Sequence, residues 1–244
     1  LLSIYNLLFG KELKTQHLIA AHYTVGTDLN PLIAEQYARD SFTPVNQRAT
    51  ELGIPVENYY RVTDKLNQEM VQFVKKEKPD MFLLGAKNRT QTDMSGTPGV
   101  VLWLSLLRDK AEDVLEHVPC PVGVFLNRDY REGALVSFVL GGTIDTFLIS
   151  YMENMLKLGT PLRLFLFDTD DQQIRQRAKE LQEQYPNLLP IVWFNHVDDL
   201  VTNETDGLLI MSHLSYTQLS EGEDILQKLP SMLVIRRNKK DLPI

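Results

Sequence analysis

The chain has 244 residues, of which 43% are apolar and 23% are charged, and its formal net charge is −7. This composition is typical of a soluble globular protein, and the length allows one or two domains that each bury a sizeable core. The acidic charge argues against a nucleic-acid partner, and a single cysteine excludes an internal disulfide. No apolar run reaches the roughly 18–20 residues that a membrane span needs.

The first half of the chain alternates predicted strands with predicted helices. Asn30-Pro31 predicts a helix start, because Asn is a good N-cap and Pro suits the first helical position. Thr43-Pro44 repeats this signal, so the segment up to Leu52 is either one kinked helix or two helices. The predicted strands are 17–25, 54–61, 80–84 (ended by Gly85) and 121–126, and the other predicted helices are 1–9, one that starts at Asp64, and 98–118.

The second half repeats this order. Its strands are continuous apolar runs, which favour parallel sheets that are covered on both faces. Thr143 or Asp145 is expected to cap the first helix, and the acidic run from Asp168 to Asp171 is expected to cap the second. The predicted strands are 134–140, 162–167, 189–194, 207–211 and 231–235, the helices are 143–158, 171–185 and 221–229, and 197–201 is a short helix or a turn.

A polar turn, Asn127 to Gly133, separates the two halves. We therefore predict two tandem domains, 1–127 and 134–244, related by a pseudo-twofold axis because their strand–helix order repeats. The second domain has five predicted strands and the first has four, since it begins with a helix. The strand that should precede Leu1 is expected to lie outside this sequence, which favours a fragment of a longer protein.

Three segments of the first half resemble the end of a universal stress protein domain. They are Leu83-Leu84-Gly85, the predicted helix from Asp109 to His117, and Pro119-Cys120-Pro121-Val122. The resemblance implies a five-stranded flavodoxin-like sheet. The expected fold class is therefore α/β, with two tandem universal stress protein-like domains of which the first lacks its first strand.

The nucleotide motif of that family is incomplete in this chain. Its nucleotide-binding members carry a glycine, two residues, a second glycine, nine residues and then Gly-Ser or Gly-Thr. Gly85 matches the first glycine, but Asn88 holds the second position and Arg108-Asp109 stand where Gly-Ser is expected. In the second half, Met211-Ser212-His213 follows the equivalent strand without a glycine. In the first half we expect no ATP hydrolysis and at best weak ATP binding, because the side chains of Asn88, Arg108 and Asp109 block close approach of phosphate to the backbone.

A second resemblance covers nearly the whole chain. The tandem layout, with Pro-Cys-Pro-Val-Gly-Val-Phe, a polar turn, a strand and Gly-Gly-x-x-Asp, resembles the cytoplasmic C-terminal region of monovalent cation:proton antiporters. Gly141 to Asp145 matches a Gly-Gly-Pro-Asp-Asp-like turn of those tails, with Thr143 in place of the proline.

This resemblance implies a non-catalytic regulatory domain of a Na⁺ or K⁺:proton antiporter, on the cytoplasmic side of the membrane. The implied partners are the membrane antiporter domain of the same polypeptide and a second copy in a homodimer. Two alternatives stay open: a free-standing tandem universal stress protein that binds an adenine nucleotide, and an enzyme of the adenine-nucleotide α-hydrolase type. Upstream membrane-spanning segments would favour the antiporter.

Five residues are candidates for ligand binding: Gly85, Asn88, Gly141, Gly142 and Thr143. The last three form a strand-to-helix turn that could cradle a phosphate, although a tight turn alone is the commoner meaning of two glycines. We predict no catalytic residues, no metal site and no cofactor other than a nucleotide. Cys120 has no second cysteine in a CxxC motif and is expected to be a buried structural thiol.

The last predicted strands of the two halves are candidates for pairing. In stress proteins the last strand of the sheet commonly pairs at the dimer edge, and here the corresponding strands are Pro121–Leu126 and Ser231–Ile235. We expect these two strands to pair with each other within one chain. Such pairing would join the two halves and leave another surface for dimerisation.

Overall fold

The computed structural model describes residues 2–9, 18–25, 30–87, 117–128, 130–167, 171–196, 198–201, 207–219 and 228–237. The chain forms two compact units, Leu2–Glu77 and Lys78–Ile244, and each is considered by itself. Almost all of the predicted helices 98–118 and 221–229 lies outside the described residues. No helix among the described residues is long and apolar enough to cross a bilayer.

The unit Leu2–Glu77 holds a parallel pair of strands with three helices. The two strands pair along their whole length, with Ala21 opposite Tyr59. Its elements are α1 (Leu2–Phe9), β1 (Leu18–Val25), α2 (Pro31–Leu52), β2 (Val56–Thr63) and α3 (Leu66–Glu77).

Helix α2 is one continuous helix with Pro44 inside it, which decides between the two alternatives left by the sequence. Its predicted N-cap is confirmed, because Asn30 Oδ1 accepts the Leu32 N–H at 3.0 Å. Gly53 ends the helix in the left-handed conformation with φ of 67°, which glycine adopts without a steric penalty. The helix runs through Pro44 because both ends are capped and its inner face, including Phe42, is buried.

The two faces of the β1–β2 pair are covered by different helices. On one face the ring of Tyr59 lies 4.3 Å from the ring of Phe73 in α3. On the other face His22 lies 6.2 Å from Phe42 in α2, and its burial lowers the pKa of the imidazole. The layering predicted from the alternation of strands and helices is therefore present in this unit.

The unit Lys78–Ile244 is built on a seven-stranded sheet with the order β3-β4-β9-β8-β5-β6-β7. Every neighbouring pair is parallel except β4 and β9, which are antiparallel. The strands are β3 (Phe82–Lys87), β4 (Val122–Asn127), β5 (Val136–Leu140), β6 (Leu162–Phe167), β7 (Val192–Phe194), β8 (Leu208–Ser212) and β9 (Ser231–Arg236). The helices are α4 (Phe147–Lys157), α5 (Gln172–Gln184), α6 (Asp198–Val201) and α7 (His213–Leu219), and a 3₁₀ turn spans Thr143–Thr146.

The core of this sheet follows the continuous apolar strands that the sequence predicts. Every residue of β5 and β8 is buried, as expected for strands covered on both faces. The structure also corrects two strand boundaries and adds one helix. Strand β3 runs through Gly85 to Lys87 instead of ending at Gly85, β7 is limited to three residues, and α7 was not predicted.

The antiparallel contact between β4 and β9 confirms the expected pairing of the two last strands. Val124 lies opposite Val234 at its centre. Arg128, directly after β4, reinforces the contact, because its backbone N–H donates to Ser231 Oγ at 2.7 Å and its Nη1 donates to the Leu229 carbonyl at 2.7 Å. This pairing carries β3 and β4 into the sheet of the second half. The compact units therefore do not divide at the predicted limits 1–127 and 134–244, and the limits of the chain repeat stay a prediction.

The four strands β3, β4, β9 and β8 are related by a local twofold axis between β4 and β9. Exchanging β4 with β9 and β3 with β8 preserves both the order and the directions of the strands. Since Leu84 pairs with Val124 and Met211 pairs with Val234, Leu84 and Met211 are equivalent. Ser212 therefore occupies the position of Gly85, and the four strands have the local symmetry that the repeat predicts.

The β4–β9 pairing predicts the effect of a proline in this interior strand. Val124→Pro removes a ladder donor and clashes within the sheet, so the free energy of unfolding should fall by at least about 1–3 kcal/mol, the cost of one unsatisfied buried acceptor. Hydrogen exchange should become faster in β3 and in β9 together, whereas Val124→Ile should leave both protected. Loss of protection confined to β3 and β4, with β9 still protected, would contradict the coupling of the two halves.

Candidate functional site

The candidate turn lies at the point where the strand order of the second half reverses. From β5 the chain moves outward to β6 and β7, and then returns to the other side of β5 as β8 and β9. In open α/β sheets, ligands bind at the carboxyl ends of the two strands that flank such a reversal. Gly141, Gly142 and Thr143 follow β5 at this point, and Ser212 and α7 stand at the end of β8.

A buried carboxylate makes hydrogen bonds to the segments that follow both of these strands. Asp145 is 0% exposed. Its Oδ2 accepts the Gly141 N–H at 2.5 Å and the Ser215 hydroxyl at 2.7 Å. Ser215 is held in turn by its backbone N–H, which donates to Ser212 Oγ at 3.0 Å. These contacts tie the loop after β5 to the start of α7.

Close packing at Gly141 requires the absence of a side chain. A Cβ added there would lie 2.8 Å from Ser215 Oγ and 3.3 Å from Asp145 Oδ2. At Gly142, by contrast, an added Cβ would meet no atom of the described residues within 4 Å. The first glycine of the pair is therefore needed for the approach of Asp145 and Ser215 to the backbone.

Thr143 links the same loop to α5. Its hydroxyl donates to Asp171 Oδ2. Asp171 also caps α5, as predicted, because its Oδ1 accepts the N–H groups of Gln173 at 3.0 Å and Ile174 at 3.3 Å. The Thr143 hydrogen bond, followed by the backbone donors of α5, lowers the pKa of Asp171.

The chemistry of this turn differs from that of a phosphate cradle. A phosphate site offers unpaired N–H and O–H donors to an anion. Here the Gly141 N–H and the Ser215 hydroxyl are directed to Asp145, and the Thr143 hydroxyl is directed to Asp171. Asp145 Oδ1 is also buried and has no hydrogen-bond partner among the described residues. The described donors of the turn are therefore directed to its own carboxylates, as in a tight structural turn, and ligand binding at Gly141, Gly142 and Thr143 stays a prediction.

The five candidate residues do not form one site. Gly85 lies in β3, and β4, β9 and β8 separate that strand from β5. Because β4 and β9 are antiparallel, β3 and β5 run in opposite directions. The carboxyl end of β3 therefore lies at the end of the sheet where β5 has its amino end. Asn88 lies outside the described residues.

Other reactive groups of the described residues offer little chemistry. Cys120 is 7% exposed, and burial raises the pKa of its thiol to about 11, which fits the predicted structural role. Within the described part of the chain, no three His, Cys, Asp or Glu side chains lie close enough together to hold a metal ion.

The sequence predicted the turn but not its two decisive side chains. Thr143 or Asp145 was expected to cap the following helix, and this was wrong. Among the described residues no side chain caps the 3₁₀ turn or α4, because the Thr143 hydroxyl is directed to Asp171 and the Asp145 carboxylate turns back to Gly141. The available signal was the Gly-Gly-x-x-Asp spacing itself, since three residues allow the aspartate to fold back onto the first glycine. Ser212 and Ser215 carried the second signal, a Ser-x-x-Ser helix start whose first serine accepts a backbone N–H.

No protein-family model and no curated protein matches this sequence. Among solved structures, a universal stress protein from Archaeoglobus fulgidus is similar at 14% identity and a TM-score of 0.55, over 97% of this chain and 92% of that one. A universal stress protein from Pseudomonas aeruginosa, described there as putative, has 14% identity and a TM-score of 0.51, over 97% and 88% of the two chains.

The cytoplasmic domain of a prokaryotic cation chloride cotransporter is also similar, at 12% identity and a TM-score of 0.53, over 98% of this chain and 92% of that one. At these identities the likeness concerns the fold. The chain therefore has the α/β, flavodoxin-like fold of universal stress proteins, as the sequence predicted.

The buried contacts of Asp145 predict a large stability effect for one carboxylate. Asp145→Ala leaves the Gly141 N–H and the Ser215 hydroxyl without their acceptor, and each hydrogen bond to a charged group contributes about 1.5–3 kcal/mol. For the two bonds together we expect a loss of at least about 3 kcal/mol in the free energy of unfolding, measured by urea denaturation. Asp171→Ala, at a half-buried carboxylate beside the same turn, is the control and should cost less. An equal or smaller loss for Asp145→Ala would contradict this interpretation.

Proposed function

We propose that this chain is a non-catalytic regulatory domain on the cytoplasmic side of a monovalent cation transporter, specifically a Na⁺ or K⁺:proton antiporter. Transport itself is assigned to a membrane domain of the same polypeptide. The observation that carries the proposal is the likeness, over 98% of this chain, to a cytoplasmic domain of a cation chloride cotransporter. That likeness supports a transporter-associated domain, and the Gly141 to Asp145 turn and the tandem layout, which resemble antiporter tails, supply the narrower class.

The contacts of the sheet suit a regulatory role. The antiparallel β4–β9 pairing makes the last strands of both halves neighbours in one sheet. A change that moves one half is transmitted directly through that ladder, because a packed sheet has few intermediate arrangements. We therefore expect signals to pass through the β4–β9 ladder.

A nucleotide-binding stress protein is the second candidate, supported by the two stress-protein neighbours. The placement of Asp145 argues against it for the second half, since a carboxylate already accepts the Gly141 N–H and the Ser215 hydroxyl. In the first half, Asn88, Arg108 and Asp109 interrupt the glycine motif.

Binding calorimetry with ATP separates the two candidates. We expect no affinity in the micromolar range for residues 1–244, and no ATP hydrolysis. Micromolar binding that disappears on Gly85→Val would assign a nucleotide site to the first half. Micromolar binding that disappears on Gly141→Ala would assign one to the second half. Either result would favour the stress-protein candidate.

A transport assay tests the regulatory proposal. Two proteins would be produced in bacteria that lack their own antiporters. One is the complete encoded polypeptide, and the other ends just before Leu1 and so lacks residues 1–244. Proton movement driven by Na⁺ or K⁺ would then be measured in everted vesicles. We expect the truncated version to retain exchange, with a shifted pH or cation concentration for half-maximal rate.

Two variants of the complete polypeptide connect this assay to the structure. Val124→Pro should reproduce the effect of truncation because it disrupts the β4–β9 ladder, and Val124→Ile should behave like the unmodified protein. A gene product without an upstream membrane domain would defeat the proposal. Identical transport by the complete and truncated versions would defeat it as well.

A further inference from the structure

One edge of the seven-stranded sheet differs from its symmetric counterpart. In the second half, β8 lies between β9 and β5. Its equivalent in the first half, β3, pairs with β4, and no strand among the described residues pairs with its other side. The local twofold relation therefore leaves the position equivalent to β5 without a described strand.

Burial shows the same difference. Leu209 of β8 is 2% exposed, and Ile210 and Met211 are 0% exposed. The corresponding part of β3, Phe82 to Leu84, is equally apolar but only half-buried. A continuous apolar run of this kind is typical of an interior strand of a parallel sheet, not of an edge strand.

The backbone of β3 has its hydrogen-bonding groups in place for another strand. The Phe82 N–H donates to the Pro121 carbonyl at 2.9 Å, on the side of β4. Alternate residues of a strand direct their N–H and C=O groups to opposite sides. Leu83 and Gly85 therefore direct theirs to the open edge.

The pairing of β8 with β5 gives the register expected for a strand beside β3. Ile210, the equivalent of Leu83, pairs with Phe138 of β5 in a parallel ladder. Along the chain, β5 comes directly before α4, which leads to β6. The first half has the same order after that point, since α1 leads to β1. The strand equivalent to β5 would therefore come directly before α1.

We propose that the open edge of β3 receives a parallel β-strand that precedes α1 in the same polypeptide. The strand lies where β5 lies relative to β8, and one of its residues pairs with Leu83 as Phe138 pairs with Ile210. When a strand is added to an open sheet edge, its backbone hydrogen bonds supply affinity. The apolar side chains of β3 supply the surface that the added strand buries. The inference shares with the proposed function a polypeptide that continues upstream, but it does not require that polypeptide to be a transporter.

A surrogate strand tests this assignment on residues 1–244. A copy of residues 134–146, which contains β5 and the turn after it, would be joined ahead of Leu1. The control carries the same extension with proline at the position that corresponds to Phe138, because proline cannot complete the ladder. Hydrogen exchange would be measured at the amides of Leu83 and Gly85 by NMR.

We expect the extension to slow exchange at Leu83 and Gly85 by at least about tenfold, and the proline control to leave both rates unchanged. Equal rates with the two extensions would overturn the proposal. Strong protection of both amides in residues 1–244 alone would also overturn it, since the edge would then already be covered. Protection that appears in residues 1–244 only as protein concentration rises would assign the edge to a second copy. The readout is independent of ion transport, so its failure would leave the transporter proposal to be tested separately.

Discussion

The antiparallel ladder between β4 and β9 is the interaction on which the larger unit depends. These strands end the two predicted halves of the chain, and their pairing at Val124 and Val234 places both in the interior of one sheet. Antiparallel pairing of equivalent strands is what a local twofold requires, so the reversal of direction across the sheet follows from this contact. For the same reason, the carboxyl ends of β3, which contains Gly85, and of β5, which precedes Gly141, lie at opposite ends of the sheet.

Asp145 shows how a ligand-like turn becomes a structural one. Glycine after a parallel strand commonly leaves backbone donors for an anion. In this chain the anion is supplied from within, because the carboxylate of Asp145 meets the Gly141 N–H and the Ser215 hydroxyl. Burying a charge is costly unless it is hydrogen-bonded, so both donors are needed where they stand. The turn then connects β5 to α7 instead of presenting donors to a phosphate.

The proposed regulatory role relies on the long-range contacts of the larger unit. The β4–β9 ladder joins segments that lie more than a hundred residues apart, as does the bond between Arg128 and Ser231. Such long-range contacts hold or fail together, and the proposed regulation would act on this cooperative element. The fold alone does not specify that partner, since unrelated functions share the same scaffolds.

The sequence by itself determined the elements that depend on local patterns. Asn30 and Gly53 set the ends of α2, Asp171 capped α5, and continuous apolar runs identified the buried parallel strands, because capping geometry and strand burial leave periodic or positional signals. Only the tertiary structure decided that Gly85 lies within a strand, that α2 continues through Pro44, and that Asp145 turns back to Gly141. Each of these depends on neighbours that are distant in the sequence or on packing around the backbone, and no local pattern records such contacts.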